Sequence, residues 1–202
     1  MLTIWQQPFA LAWEALQAKS FPVGAVLLNP AGNIALTGRN RSKEPAAPAS
    51  QLANTALAHA EVNVLAQLPP GSHSDWTMLT SLQPCLLCLS ALRLAQVGNV
   101  TYAGADPLWD GCAQVPSLLP DLLSSKWPVS TGPADGMDGV WGILLPAIWY
   151  VAYKPAVVAA PSDLLPWATV ELARECVTAG ILDSPSGAAA YDLASALLHH
   201  RS

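Results

Sequence analysis

The sequence predicts an α/β fold in which helices cover a sheet of about five strands. The main observation is that short β-type runs alternate with longer helical stretches at the intervals typical of βαβ units. The composition agrees, because 202 residues with 52% hydrophobic and 11% charged side chains indicate a folded chain. This length fits one domain of good size, or a core domain with a substantial appendage.

The first elements are expected to be a helix followed by a β-hairpin. Residues 3–19 place large apolar side chains at helical spacing, which indicates an amphipathic helix. Val23–Asn29 and Ile34–Thr37 are short β-type runs on either side of a turn-rich pentapeptide. Residues 41–54 contain two prolines and few large apolar side chains, so they predict a loop.

The next two elements are a helix and a strand. Thr55 can cap a helix that runs to about Gln67 and stops before a Pro-Pro-Gly sequence. Trp76–Leu82 is rich in strand-forming residues and predicts the third strand.

A further helix and a fourth strand should complete a crossover. Pro84 suits the first turn of a helix that continues to Gln96 and ends at Gly98. Val100–Ala105 predicts the fourth strand. Because a helix joins the third and fourth strands, we expect them to be parallel and the crossover to be right-handed.

The last third of the chain is expected to be mainly helical. Residues 117–127 look helical despite Pro120, and a fifth strand is expected around Val129. Residues 132–139 are the best linker candidate, because they combine glycine, proline and aspartate. Three helical stretches follow, at about residues 140–154, 163–179 and 186–200.

Charge narrows the class of function. The chain carries a net charge of −5 and only nine Lys and Arg residues, whereas nucleic-acid binding usually needs a basic face. Arg39, Arg41 and Lys43 cluster in a loop that either contacts a phosphate or is simply solvated. The composition therefore does not favour tRNA as a partner.

The expected location is the cytoplasm. The N-terminal stretch lacks a basic region and carries Glu14 among its apolar residues, unlike a signal peptide. Cys112 and Cys176 are expected to be free thiols in a reducing compartment. The most apolar run, Gly139 to Tyr153, is about fifteen residues long. A membrane span needs roughly twenty residues, so this run predicts a buried helix or a subunit contact and not a span.

The strongest chemical pattern is an HxE motif followed by a PCxxC motif. His59 and Glu61 precede Pro84, Cys85 and Cys88, with twenty-two residues between the two motifs. One imidazole and two thiolates form a three-ligand zinc set that leaves the fourth tetrahedral position open for water. The two cysteines share one face of a helix, whose start lowers thiolate pKa values. Glu61 is not needed as a ligand and is well placed to move protons.

This signature is the one found in zinc-dependent nucleobase deaminases, and the chain resembles the cytidine deaminase-like superfamily. The likeness is greater to the branch that contains tRNA wobble adenosine deaminases, bacterial guanine deaminases and cytosine deaminases. Supporting stretches occur in the family's order and near its spacing across roughly residues 20–110. They are Phe21–Val26, Gly38–Arg41, Thr80–Cys85 and Val100–Asp106.

The resemblance implies a three-layer α/β/α sandwich with a mixed sheet of about five strands. We expect a zinc-dependent deaminase domain over residues 1–132. The extra C-terminal helices exceed the short tail usual in the family, and we expect them to form a helical extension over residues 139–202 that packs on this domain. Family members usually assemble as dimers or larger oligomers, so we expect a homodimer.

The resemblance also implies the reaction. Zinc held by His59, Cys85 and Cys88 provides a hydroxide that attacks the amino-bearing ring carbon of a nucleobase. Glu61 takes the water proton, delivers it to the adjacent ring nitrogen and later protonates the departing ammonia. The expected activity is hydrolytic deamination of a base, nucleoside or nucleotide.

Five further residues are expected at the substrate by the same resemblance. Asn40 matches an asparagine that hydrogen-bonds the base or sugar, and Phe21 an apolar residue that packs against the base. The backbone of Ala60 contacts the base carbonyl. Asp106 and Trp109 lie in the loop after the fourth strand, where Trp109 either stacks on a base or only packs.

Several alternatives stay open from the sequence. The Gly38–Arg41 match encourages a tRNA wobble adenosine deaminase, while the acidic charge counts against it. A catalytically inactive zinc scaffold or binding module is a further alternative, although the intact Glu61 argues against it. Cys85 and Cys88 also fit a structural zinc site or a redox pair. Gln83 replaces the glutamate common before the Pro-Cys pair, which leaves pocket shape and substrate choice open.

Overall fold

A mixed five-stranded sheet forms the centre of the protein in the computed structural model, which describes residues 4–201. The strand order is β2-β1-β3-β4-β5. β1 pairs antiparallel with both β2 and β3, whereas β3, β4 and β5 are parallel neighbours. The strands are β1 (Gly24–Leu28), β2 (Ile34–Arg39), β3 (His73–Leu82), β4 (Val97–Gly104) and β5 (Val129–Thr131). The predicted hairpin, the parallel crossover and the fifth strand are confirmed.

Helices cover both faces of this sheet, as the α/β/α prediction requires. Side chains alternate along β1, so Val26 points into one hydrophobic core while Ala25 and Leu27 point into the other. The first core lies under α1 and α5, and the second under α2 and α3. The α-helices are α1 (Gln6–Gln17), α2 (Ala60–Leu65), α3 (Leu86–Leu94), α4 (Asp121–Ser124), α5 (Gly136–Tyr153), α6 (Trp167–Thr178) and α7 (Gly187–His199).

Helix α5 packs directly on β4. A Cβ atom on Gly142 would lie 2.3 Å from the backbone nitrogen of Gly104 and 2.6 Å from the carbonyl oxygen of Ser81. Only glycine allows this approach, so the helix backbone rests on the strand backbone. The apolar run that predicted a buried helix lies within α5, whose central residues are buried. Among residues 4–201, no helix is both long and apolar enough to cross a membrane.

The remaining C-terminal helices pack around α5 and α1. Their side chains belong to the same hydrophobic core as α1, which draws on residues from Trp5 to Ala194. The three predicted C-terminal helices are present, within a few residues of their expected bounds. The division into a domain over 1–132 and an extension over 139–202 stays a prediction.

Some predicted helix ends were wrong. α2 begins at Ala60 with His59 as its N-cap residue, because the backbone before it pairs with the preceding loop instead. Thr55 accepts a hydrogen bond from the backbone nitrogen of Leu57 and does not cap the helix. α2 also ends at Leu65, earlier than expected.

The predicted start and end of α3 were also wrong. α3 begins at Leu86, so Pro84 precedes the N-cap residue and is not in the first turn. Gln96 takes a positive φ of 56°, which turns the chain out of α3 before Gly98. Gly98 therefore lies within β4.

The stretch predicted as one helix over 117–127 is divided in the structure. A 3-10 helix, Pro107–Leu118, covers its start, and Pro120 is the N-cap residue of the short α4. Proline cannot donate a backbone hydrogen bond, so the interruption falls at this residue.

Candidate active site

The two sequence motifs meet where α2 and α3 begin. His59 and Cys85 are the N-cap residues of these helices, and Cys88 lies in the first turn of α3. His59 Nδ1 lies 3.6 Å from Cys85 Sγ and 3.4 Å from Cys88 Sγ, and the two sulfurs are 3.6 Å apart. The three side chains are positioned to bind a metal ion.

This donor set fits zinc. Tetrahedral Zn–S and Zn–N bonds of about 2.3 and 2.0–2.1 Å place their ligand atoms roughly 3.5–3.8 Å apart. The observed separations of 3.4–3.6 Å are close to those values. A set of three protein ligands leaves one tetrahedral position for water or substrate, as catalytic zinc sites do.

Strand β2 positions the first turn of α2. A Cβ atom on Gly38 in β2 would lie 2.7 Å from the carbonyl oxygen of Ala60 and 2.8 Å from the backbone nitrogen of Val64. Glycine is therefore required for the first turn of α2 to rest on β2. This contact places Ala60 and Glu61 at the edge of a cavity over the metal donors.

Glu61 is a buried carboxylate beside the metal donors, and only 3% of its surface is exposed. Oε1 accepts a hydrogen bond of 3.1 Å from the Thr80 hydroxyl, and Oε2 accepts one of 3.3 Å from the Cys88 thiol. Burial raises the pKa of this carboxyl above its usual value. A carboxylate with a raised pKa is suited to both accepting and returning a proton near neutral pH.

The metal donors also perturb one another's pKa values. The hydrogen bond between the sulfurs of Cys85 and Cys88, helped by His59, lowers the pKa of Cys85 to about 4. Cys85 is therefore a thiolate at neutral pH, which is the form that binds metal. The same hydrogen bond raises the pKa of Cys88, and a hydrogen bond to Cys85 raises that of His59.

A cavity of about 60 Å³ opens over the metal donors, and we call it the metal pocket. Every predicted site residue lines it, so the structure brings all nine together, although their roles stay predictions. The lining residues are Phe21, Val23, Asn40, His59, Ala60, Glu61, Leu82, Gln83, Cys85, Cys88, Asp106 and Trp109.

The residues expected to touch substrate are held by local contacts. Asn40 Oδ1 accepts a 2.9 Å hydrogen bond from the backbone nitrogen of Ser42, which leaves its amide NH₂ as the donor group. Asp106 Oδ1 accepts one of 3.1 Å from the backbone nitrogen of Leu108, and burial raises the pKa of its carboxyl. Trp109 is partly buried at the pocket wall.

Two residues with positioning contacts were not identified from the sequence. The Gln83 side chain accepts a hydrogen bond from the backbone nitrogen of Asp106 and donates one to the carbonyl oxygen of Trp109, at 3.0 and 3.3 Å. It therefore ties the loop of these two residues to the end of β3. Thr80 is the other such residue, through its hydrogen bond to Glu61. The sequence signal for Gln83 was that it replaces the glutamate common before the Pro-Cys pair in the family.

The basic loop is paired internally. Arg39 and Arg41 both form ion pairs with Glu44, the Arg41 pair at 2.6 Å, and Arg39 also approaches Glu14 at 3.3 Å. A phosphate contact by either arginine would have to compete with Glu44.

Comparison with known proteins places these residues in a family. The model that describes the cytidine and deoxycytidylate deaminase zinc-binding region matches residues 3–104, about half of the chain. The matched region contains His59, Glu61, Cys85 and Cys88.

Related sequences come from tRNA-modifying enzymes. A tRNA(Ile)-lysidine synthase of Deinococcus radiodurans is 34% identical over 134 residues, which are 64% of this chain and 22% of that protein. The chain therefore spans less than a quarter of the length of this relative. A tRNA-specific adenosine deaminase of Streptococcus pyogenes serotype M18 is 27% identical over 120 residues, covering 57% of this chain and 70% of that protein.

Solved structures share the fold. A structure from work on A-to-I editing by tRNA:A34 deaminases superposes with a TM-score of 0.51 at 21% identity, over 69% of this chain and 96% of that one. A protein crystallised with 2,6-diaminopurine gives 0.53 at 18% identity, over 73% and 79% of the two chains. These likenesses extend the α/β prediction to a fold seen in deaminases.

Proposed function

The chain belongs to the family of the cytidine and deoxycytidylate deaminase zinc-binding region, and from this we propose that it deaminates a small-molecule nucleobase, nucleoside or nucleotide by hydrolysis. The observation that carries the proposal is the buried carboxylate of Glu61 beside a three-ligand donor set in a pocket. A structural zinc site would need neither the fourth open position nor this carboxylate.

His59, Cys85 and Cys88 would hold the zinc ion. When bound, zinc supplies the nucleophile by lowering the pKa of a water molecule from about 15.7 towards 7. The water oxygen forms a bond to the amino-bearing ring carbon, the carbon–nitrogen bond breaks, and ammonia leaves. A ring carbonyl replaces the amino group, and no oxidant or reductant is required.

Glu61 moves the protons of this reaction. Its carboxylate accepts a proton from water and delivers it to the ring nitrogen beside the reacting carbon. It then accepts the proton of the hydroxyl formed on that carbon and passes it to the amino group, which leaves as ammonia. The Thr80 hydroxyl holds Oε1, so Thr80 orients the carboxylate. Oε2 faces the Cys88 sulfur, on the side of the metal donors.

The pocket walls orient the base. We expect the Asn40 amide to donate a hydrogen bond to the base or sugar, and the backbone of Ala60 to contact the base carbonyl. The Phe21 ring supplies an apolar surface. Asp106 adds an acceptor, and a hydrogen bond that only the correct substrate satisfies gives strong discrimination.

The charge supports a small substrate. The net charge is −5, and the clustered Arg39 and Arg41 are paired with Glu44. Binding of a polyanion depends on basic groups that neutralise phosphates. This chain offers few such groups near the pocket.

Ammonia release by the zinc-loaded protein tests the proposal. The panel should contain bases, nucleosides, nucleotides and modified purines, with Glu61→Gln measured in parallel. We expect release from at least one compound by the wild type and its loss in the variant. Silence across the panel with zinc bound would favour an RNA substrate or an inactive scaffold.

The relatives named above favour a second candidate, a tRNA wobble adenosine deaminase. This candidate predicts tRNA retention that weakens steeply with salt, because phosphate-driven binding releases counterions. Inosine formation at the wobble position of a transcribed tRNA, absent in Glu61→Gln, would establish it. The absence of tRNA binding at 50 mM salt would exclude it.

We also propose a homodimer, supported by exposed leucines on α3. Leu94 is 79% exposed, and Leu86 and Leu87 are 41% and 40% exposed, so one helix presents an apolar surface. Light scattering after size exclusion should give twice the chain mass. Leu94→Lys should shift the protein towards monomer, and a monomeric wild type would contradict the proposal.

A further inference from the structure

A second cavity adjoins the metal pocket, and we call it the side chamber. It has a volume of about 130 Å³ and shares four lining residues with the metal pocket: Phe21, Leu82, Asp106 and Trp109. The two spaces therefore meet along a common wall. Ala105, Leu108, Ile143, Pro146, Tyr150, Leu164 and Leu165 complete the side chamber.

The outer wall of the side chamber comes from the C-terminal third of the chain. Ile143, Pro146 and Tyr150 lie on α5, and Leu164 and Leu165 lie in the loop before α6. The family match ends at residue 104, so none of these five residues lies within it. The side chamber is thus closed in part by residues outside the matched region.

This wall is held in place firmly. α5 rests on β4 through the backbone contact of Gly142 with Gly104. The Phe21 ring meets the rings of Trp149 and Tyr150 edge to face, with centroids 5.4 and 5.9 Å apart. Helix α5 therefore positions Phe21, one of two aromatic residues that line both spaces.

The lining chemistry disfavours a negatively charged group. Asp106 is the one charged residue among the described residues that line the side chamber, and the others are apolar or aromatic. A phosphate in this space would face a carboxylate without a basic partner in the wall. A ring-sized apolar group fits better, because an apolar cavity of about 150 Å³ is known to bind benzene.

From this geometry we propose that the side chamber is a substrate subsite for an uncharged, ring-sized apolar substituent. The substrate class is then a substituted base or nucleoside, with the reacting ring in the metal pocket and the substituent against α5. This inference rests on the proposed deaminase function and narrows its substrate class.

The test compares the base identified by the ammonia panel with its benzyl derivatives, substituted at each ring position that is not deaminated. We expect one benzyl isomer to exceed the parent base in kcat/KM by about 10- to 200-fold, the range that apolar pocket contacts give. Ile143→Trp fills the side chamber, so the ratio should fall to near one. Val157→Trp adds the same side chain at an exposed position and should keep the wild-type ratio.

A binding measurement separates the subsite from catalysis. Benzyl alcohol is titrated calorimetrically into the zinc-loaded wild type, Ile143→Trp and Val157→Trp. We expect binding at least tenfold weaker in Ile143→Trp than in the other two proteins. If thermal melting shows that Ile143→Trp does not fold, Leu164→Trp fills the same space from the loop.

The outcomes distinguish the two proposals. No deamination of any compound, together with Ile143-dependent benzyl alcohol binding, would overturn the deaminase proposal and leave the apolar site established. Deamination with a benzyl-to-parent ratio near one in the wild type would overturn the subsite alone. A preference confined to bases within an oligonucleotide would assign the side chamber to a neighbouring nucleotide, which also overturns the subsite.

Discussion

Glu61→Gln is the most informative perturbation of this protein. The substitution keeps the volume of the side chain and its hydrogen-bond acceptor for Thr80, but removes the carboxylate that we propose transfers protons. General acid–base catalysis commonly contributes about 10²–10⁴-fold, which corresponds to about 2.7–5.5 kcal/mol of transition-state stabilisation. We therefore expect kcat to fall by that factor.

Stability should not fall with activity. Burial raises the pKa of Glu61, so its ionised form is less favourable in the folded than in the unfolded protein. The protonated carboxyl therefore adds to the stability of the folded protein at pH values below the unfolded pKa. This added stability is lost as the pH rises through the pKa of the folded protein. A neutral amide lacks the penalty, and the melting temperature at pH 7 should be equal or higher.

The assay measures ammonia release at saturating substrate, bound zinc by mass spectrometry, and thermal melting on the same preparation. Glu171→Gln makes the same chemical change at an exposed position on α6 and should retain full activity. If Glu61→Gln keeps zinc and retains activity within tenfold of the wild type, the assigned role of Glu61 is wrong. Loss of zinc along with activity would instead indicate that Glu61 supports the metal site.

Three further predictions concern the site and the core. Cys88→Ser should weaken zinc affinity by more than about 100-fold, because changes to residues beyond the ligands already cost 10–100-fold. Competition with a chelator measures this affinity, and Cys112→Ser should leave it unchanged. Gly142→Ala introduces a Cβ 2.3 Å from a β4 backbone nitrogen, whereas Gly111→Ala meets nothing within 4 Å. Gly142→Ala should lower the free energy of unfolding by about 1–3 kcal/mol and Tm by about 2–12 °C, whereas Gly111→Ala should leave Tm unchanged. Burial raises the pKa of Cys176 from 9.0 to about 11. Because the thiolate is the reactive form, alkylation of Cys176 at pH 8 should be about 100-fold slower in the folded protein than in urea. Equal rates would contradict the burial of this thiol.

The metal site was predictable because its chemistry is local. An HxE motif and a PCxxC motif specify ligand types and place both at helix starts, and the structure brings His59, Cys85 and Cys88 within 4.8 Å of one another. Short β-type runs between turn-rich and helical stretches likewise predicted the strands of the central sheet. These features depend on residues near one another in the chain, where periodicity and turn chemistry dominate.

The missed features depend on contacts between distant segments. α2 begins at Ala60 because the backbone before it pairs with the loop after β2, and Thr55 alone could not reveal this. The approach of Arg39 to Glu14 on α1 was equally hidden within a cluster that looked solvated. The side chamber needs α5 to cross β4, which no local pattern around Ile143 or Tyr150 indicates.

The contact between α5 and β4 has a consequence for how this protein can change. Gly142 meets Gly104 through main-chain atoms, so the position of the helix does not depend on the side chains that face the pocket. Ile143 can then be exchanged for larger or smaller residues without moving the helix backbone, whereas Tyr150 also contacts Phe21 of the metal pocket. Under the proposed function, the metal donors are thus separate from an adjustable wall at α5, where natural drift or laboratory evolution can alter substrate range.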